Sequence, residues 1–210
     1  MGRAAAFADA EILDAAASVI ARAGPAAATI GAISSATGAS SGSIYHRFVG
    51  RNELLARVWL HKAAACQDFF AKSLEEPDAR TAALNAALSL PAWVRSDLVG
   101  ARILLLYRRE DFLSAEWPAE MTAEAERLGT QVRTAVRSMS KRLFEATEAR
   151  LLRATSFAMI EVPYAAVKPH AAKNERPPAE VDELISFASS AVIDGMRSSD
   201  ETTARAKRKR

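Results

Sequence analysis

Residues 29–55 read TIGAISSATGASSGSIYHRFVGRNELL, from Thr29 to Leu55, and this stretch decides the fold. Thr29 is a helix N-cap candidate, because its hydroxyl can accept from a free amide of the first turn. Ile30 and Ile33, three apart, give the helix over 30–36 one apolar side. Gly38 suits the left-handed conformation that ends a helix. Ser40 caps a second short helix over 41–48, where Ile44 and Phe48 lie four apart on its core side. Gly50 ends it, and a longer helix begins near Asn52. Two short helices around a small-residue turn form a helix-turn-helix pattern.

The pattern extends in both directions. Ile12, Leu13, Ala16, Val19, Ile20 and Ala23 recur at three and four and predict a first helix over 8–23, stopped by Gly24-Pro25. Leu54, Leu55, Val58, Trp59, Ala65, Phe69 and Phe70 line a fourth helix reaching Leu74, before Glu75, Glu76 and Pro77 break it. Further helices are predicted over 78–89, 97–111, 119–144, 147–167 (kinked at Pro163) and 179–196, with a loop over 168–178. No long stretch alternates with period two. The fold class is all-α: a three-helix N-terminal domain over 1–52, a larger helical domain over 53–198 joined by the long fourth helix, and a basic, disordered tail over 199–210.

Composition bounds the function. Half of the 210 residues are hydrophobic, whereas Gly and Pro number only 9 and 8, which favours helices over sandwiches or disorder. Five of the 28 basic residues lie in 205–210; without them 23 basic side chains face 25 acidic ones, a net of −2. The body is near neutral and the tail sets the sign. The single cysteine, Cys66, excludes an internal disulfide and reads as a small buried hydrophobe, fitting a reducing cytoplasm. No signal peptide, myristoylation pattern or membrane span is found.

The chemistry concentrates on the second helix of the motif. Ser40, Ser41, Gly42 and Ser43 are small, so the helix N-terminus can approach a phosphate backbone with its free amides and positive dipole end. Ile44 and Phe48 anchor the core side, so Tyr45 points elsewhere, with His46 and Arg47 beside it. A phenol can hydrogen-bond a phosphate or lie against a base. Arg51 places a charge where a second phosphate could be held. With Thr29, these residues are the candidate contacts to double-stranded DNA, and helices of this kind enter the major groove. Each is individually compatible with a surface or capping role; their joint spacing carries the reading. The three histidines, at 46, 61 and 170, have no metal-type spacing, and no catalytic motif is present, so no catalytic or metal residue and no cofactor is assigned.

Residues 11–59 resemble the DNA-binding domain of the tetracycline-repressor (TetR) family. The resemblance rests on ILDAA at 12–16, GPAAATI at 24–30, ISSATGASSGSIYHRF at 33–48 and RNELL at 51–55, with LLYRREDFLSAEWP at 105–118 less specific. It implies a repressor released from a palindromic operator by a small-molecule effector, which would bind the larger domain and move the fourth helix. The family often carries a basic residue where this chain has Gly31, Lys or Arg where it has Ser41, and Arg where it has residues 9–11. Residues 1–62 hold six basic against four acidic side chains, a modest balance for a DNA binder.

The resemblance also implies a homodimer. Val181, Leu184, Ile185, Ala188, Val192 and Met196 form one apolar stripe, and Leu151, Leu152, Thr155, Ala158, Met159 and Val162 another. The last two helices of each subunit could build a four-helix bundle about a two-fold axis, or the same residues could be intrachain core. Trp93, Tyr107, Phe112, Trp117, Met121 and Phe157 are the candidate ligand pocket, although such residues also build ordinary cores. A constitutive DNA-binding protein without effector and, more remotely, a helical enzyme are the competing readings.

Overall fold

The structure, a computed structural model, describes residues 8–112 and 117–208. Helices α1 (Asp9–Ala23), α2 (Ile30–Thr37), α3 (Ser41–Arg47) and α4 (Arg51–Ser73) are followed by α5 (Ala79–Ser96), α6 (Leu98–Leu106) and α7 (Ala119–Phe144). Then come α8 (Ala149–Ser156), α9 (Val162–Ala172) and α10 (Glu180–Arg208). Two 3-10 turns, Pro25–Ala27 and Arg109–Phe112, and a π-helical turn, Phe157–Glu161, complete the elements. Among the described residues there is no strand.

The chain divides into two compact units that are not contiguous in sequence: Met1–Ala65 with Asp97–Leu128, and Cys66–Ser96 with Gly129–Arg210. The division differs from a boundary at residue 52, because α6 and the start of α7 pack with the N-terminal helices. Arg102 Nε donates to the Ala21 carbonyl at 2.8 Å. The Tyr107 ring lies against Gly24, where a β-carbon would sit 3.6 Å from it, and the Gly24 φ of 85° is one that glycine adopts without strain. Lys62 Nζ meets Asp97 Oδ2 at 2.9 Å.

In the first unit the predicted stripes are buried. Ile12, Ala16, Val19, Ile20, Ile33, Ile44, Phe48, Leu54, Leu55 and Val58 share one core. Phe112, Trp117 and Met121 belong to the same core. Hydroxyl groups fix the turn between α2 and α3. Thr37 Oγ1 donates to the Ile33 carbonyl and accepts from the Ala39 amide, while Ser34 Oγ donates to the Ala39 carbonyl at 2.6 Å. Gly38, at φ 77°, takes the left-handed position.

The second unit departs from sequence expectation in three places. First, α5 does not stop near Ser89; it continues through Pro91 to Ser96. Pro91, Trp93 and Val94 are all buried, and that burial offsets the roughly 3 kcal/mol an internal proline costs. Second, Pro163 does not merely kink the eighth helical segment. The turn before it widens to a π-helix in which the Val162 amide bonds the Phe157 carbonyl. Proline has no N–H to return to the Ala158 carbonyl, and buried Ser189 on α10 donates to that oxygen instead, at 2.7 Å. The helical path then runs on to Ala172, past Val167 and Pro169. Third, α10 extends to Arg208 rather than ending at Met196, so the segment expected to be a disordered tail is helical up to that point. Ala, Glu, Lys and Arg are strong helix formers, and they propagate the helix once it has begun. Residues 209 and 210 lie outside the described residues.

Six of the twelve residues in the two apolar stripes expected at a subunit interface are buried within the chain. Val181 and Ile185 of α10 are buried, as are Leu151 and Thr155 of α8 and Ala158 and Met159 of the π-turn. Of the stripe on α10, Leu184 faces out, 68% exposed, joined by Phe187 at 78%, which the stripe omitted. The helix has an apolar side for its own unit and part of a second one for something else.

Candidate nucleic-acid interface

Helix α3 is held from behind and open in front. Ile44 and Phe48 are 0% and 1% exposed, while Tyr45 is 57% exposed and His46 is also exposed. The start of α3 is capped as the sequence predicts: Ser40 Oγ accepts from the Ser43 amide at 3.1 Å. Ser40, Ser41 and Gly42 are exposed and Ser43 is half-buried. Thr29 plays the equivalent part for α2, accepting from the Ala32 amide at 3.1 Å, and is itself exposed. The polar candidates from Ser40 to His46 thus share one short helix and its cap, on a rigid three-helix support.

The two arginines behave differently from free surface charges. Arg51 Nε donates to the Ala28 carbonyl at 2.9 Å and its Nη2 to the Pro25 carbonyl at 2.6 Å. A guanidinium expected to hold a phosphate therefore clasps the start of α4 to the turn that follows α1. Arg47 ends α3 and is bound to Asp9 at the start of α1. Arg57 is likewise engaged, donating to Glu53 Oε1 at 2.8 Å and lying over the Phe48 ring. Sequence reasoning named Arg47 and Arg51 as DNA contacts and missed their intramolecular partners, which lie 23 to 38 residues away.

Two features escaped the sequence reading. Val49, the residue after the α3 C-cap, is 94% exposed, an apolar side chain at the end of α3. Its amide is tied to Glu53 Oε2 at 2.7 Å, which fixes the turn into α4. The other is the pairing of Asp9 with Arg47, since residues 9–11 were noted only as acidic where the resembled family carries Arg.

The six candidate pocket residues do not gather at one place. Tyr107, Phe112, Trp117 and Met121 belong to the first unit, where the latter three are buried core. Trp117 meets Trp59 edge-on at 5.6 Å, with the Arg109 guanidinium 5.0 Å from its ring centre. Met121 also borders a groove of about 420 Å³ with Leu13, His61, Glu120 and Glu124. Trp93 and Phe157 belong to the second unit; Trp93 is buried, whereas Phe157 is 45% exposed and borders an open groove of about 580 Å³ with Arg153, Glu161, Val192 and Met196. Burial pushes the Cys66 thiol up to about 12, the behaviour of an unreactive cysteine. Among the described residues no three His, Cys, Asp or Glu side chains are placed to hold a metal ion, and no helix is long and apolar enough to cross a membrane.

Comparison with known proteins bears on the fold and on the N-terminal segment. Residues 12–58 match the model of the family of bacterial regulatory proteins, tetR family. Among solved structures, the transcriptional regulator FadR from Bacillus subtilis in complex with stearoyl-CoA is similar, with a TM-score of 0.68 at 15% identity, covering 89% of this chain and 98% of that one. The fatty acid degradation regulator FadR from Bacillus halodurans gives 0.66 at 18% identity, over 89% and 98%. A TetR family transcription regulator from Marinobacter aquaeolei VT8 gives 0.66 at 18%, over 88% and 94%. At such identities the likeness carries the fold. No curated protein sequence matches the chain.

Proposed function

We infer, from the tetR-family match over residues 12–58, that the chain is a sequence-specific DNA-binding transcriptional regulator. It acts as a repressor that a small-molecule effector releases from a palindromic operator. The observation that supports this most is α3 itself. A seven-residue helix whose apolar side is fully buried presents Tyr45, His46 and a capped, small-residue N-terminus to solvent. Free amides and the dipole at that N-terminus suit phosphate, and the phenol and imidazole can reach base edges. Thr29 at the start of α2 offers a further phosphate contact.

Reading a palindrome needs two copies of α3 about 34–36 Å apart, or a multiple of that. The exposed apolar residues of the second unit supply a means. Leu184 and Phe187 on α10, Phe157 on the π-turn and Tyr164 on α9 all stand out from a unit whose own core is already formed. A homodimer through these helices covers them.

The effector binds the helical body. Switching requires that it bind the DNA-released conformation better than the DNA-bound one. Because the B. subtilis relative was solved with stearoyl-CoA, acyl-CoA esters of graded chain length are the first compounds to test. The decisive experiment is selection of bound fragments from a genomic library, followed by titration of the selected duplex with wild type and Tyr45→Ala. An inverted repeat bound by wild type and lost in the variant supports the reading. Failure of the purified protein to retain any duplex at low salt overturns it. A thermal-shift and release assay with the ester series separates an effector-controlled regulator from a constitutive binder.

A further inference from the structure

Helix α3, SGSIYHR, carries one formal cation, Arg47, and that cation is already occupied. Its Nη1 is bound to Oδ1 of Asp9, the first residue of α1. We propose that Asp9 is an intramolecular mimic of a DNA phosphate, which holds Arg47 in the free protein and must yield it when duplex binds. The proposal rests on the DNA reading of α3 given above and adds a device that sets how tightly any duplex is held.

Four observations carry it. A carboxylate offers a guanidinium the same pair of anionic oxygens that a phosphate does, so the two compete for one donor set. The pair is accessible: the Arg47 side chain is 29% exposed and the Asp9 side chain 55%. An ion pair in such surroundings is worth only about a two- to fivefold change in an equilibrium constant, small enough for a phosphate to displace. The neighbouring cations are committed elsewhere, Arg51 to the carbonyls of Pro25 and Ala28, Arg57 to Glu53 and Lys62 to Asp97. Arg47 is the formal cation on α3 itself, and its exchange between Asp9 and a phosphate bears directly on affinity. Finally, the backbone at the start of α1 has a partner of its own, because Glu11 Oε2 reaches back to the Ala8 amide at 2.9 Å.

The consequence is a threshold. Each duplex must replace Asp9 at Arg47, and the released carboxylate then stands near the phosphates and opposes them. Contacts from Tyr45 and His46 must add to the backbone attraction before binding is appreciable.

The test is a two-by-two set of variants: wild type, Asp9→Asn, Arg47→Ala and the double variant, each titrated by fluorescence anisotropy against a random-sequence duplex and the selected operator duplex over a range of sodium chloride. Asp9→Asn is expected to tighten both duplexes by about two- to fivefold, the strength of the released pair. It should also steepen the slope of log K against log salt by about one, because one more phosphate is neutralised by an unopposed charge. In the Arg47→Ala background the same substitution should give a clearly smaller gain, because only the repulsion between the carboxylate and the phosphates is then relieved. Melting temperatures monitor folding, and Asp9→Ser repeats the measurement should Asp9→Asn melt early. Unchanged affinity and slope in Asp9→Asn, while wild type binds duplex, overturn the proposal and leave the DNA reading intact. An equal gain in the Arg47→Ala background also overturns it, since Asp9 would then act by general repulsion. Wild type that binds no duplex overturns both.

Discussion

Arg51 shows how a residue's chemistry can be read from sequence while its task is not. Its place after the motif marks it as a phosphate holder, and the residue type is right for that. Its two short bonds to backbone carbonyls make it a strut between α4 and the turn after α1. Hydrogen bonds from a charged donor are worth roughly 1.5–3 kcal/mol each, so Arg51→Ala should destabilise the protein by about 2 kcal/mol or more in urea unfolding. Arg51→Lys should rescue only part, as an ammonium on a flexible stem does not reproduce the fork. A fully stable Arg51→Ala that loses affinity uniformly for all duplexes would assign the residue to phosphate alone. Tyr45 is the opposite case: it is exposed, and nothing in its own fold requires its phenol. Tyr45→Ala should leave the melting temperature unchanged and weaken operator binding by at least about tenfold, the equivalent of about 1.4 kcal/mol. Wild-type affinity in that variant would remove Tyr45 from the interface.

At the scale of elements, the capped and strongly periodic helices were legible: α1 to α4 and α7 lie where Thr29, Ser40, the glycines and the apolar spacing put them. Illegible elements were those where tertiary packing overrides a local stop signal. Pro91 reads as a terminator, but the burial of Trp93 and Val94 beyond it keeps α5 going. Pro163 reads as a kink, but the chain widens to a π-turn, with Ser189 from α10 satisfying the carbonyl left over. No sequence signal links residues 158 and 189. Ser189→Ala should cost about 1–3 kcal/mol, the range for a buried polar group left unpaired, and an unchanged unfolding free energy would show that another donor takes its place. Helices α5 and α10 are also clipped by Arg80 and Asp194, with Arg80 Nη2 at 2.8 Å from Asp194 Oδ2. The hydrogen bond from Arg80 holds the Asp194 carboxyl below its ordinary range, and the Thr81 hydrogen bonds do the same for Asp78. Groups lowered in this way stabilise the fold above the ordinary carboxylate range and lose that contribution as pH falls through their depressed values. Both are on the surface, so the effect is small. Asp194→Asn should lower the melting temperature slightly at neutral pH and leave it unaltered in acid, so that the acid limb flattens; a wild-type profile at every pH would mean that the clip contributes nothing.

At the scale of the molecule, composition and periodicity identified an all-helical chain, and the buried side of α3, with Ile44 and Phe48, could be named in advance. The ligand site was not legible, because large apolar side chains look alike whether they line a core or a cavity; Phe112 and Trp117 proved to be core of the first unit. The exposed side of α10 was half legible. The apolar stripe of α10 was seen, but which flank belongs to its own unit depends on neighbours that sequence does not reveal, and Phe187 was missed. Phe187→Glu should convert a dimer of the 22.6 kDa chain to monomer in sedimentation, with helix content retained and operator affinity lost. A dimer that survives the charge places the interface elsewhere. The central claim, that α3 lodges in the major groove, is tested most directly by methylation protection of a selected duplex, since guanine N7 lies in that groove and adenine N3 in the minor one. The account predicts protection of guanine N7 in two patches, about 34–36 Å apart or a multiple of that, abolished by Tyr45→Ala. Protection confined to adenine N3, or N7 protection that survives Tyr45→Ala unaltered, would contradict it.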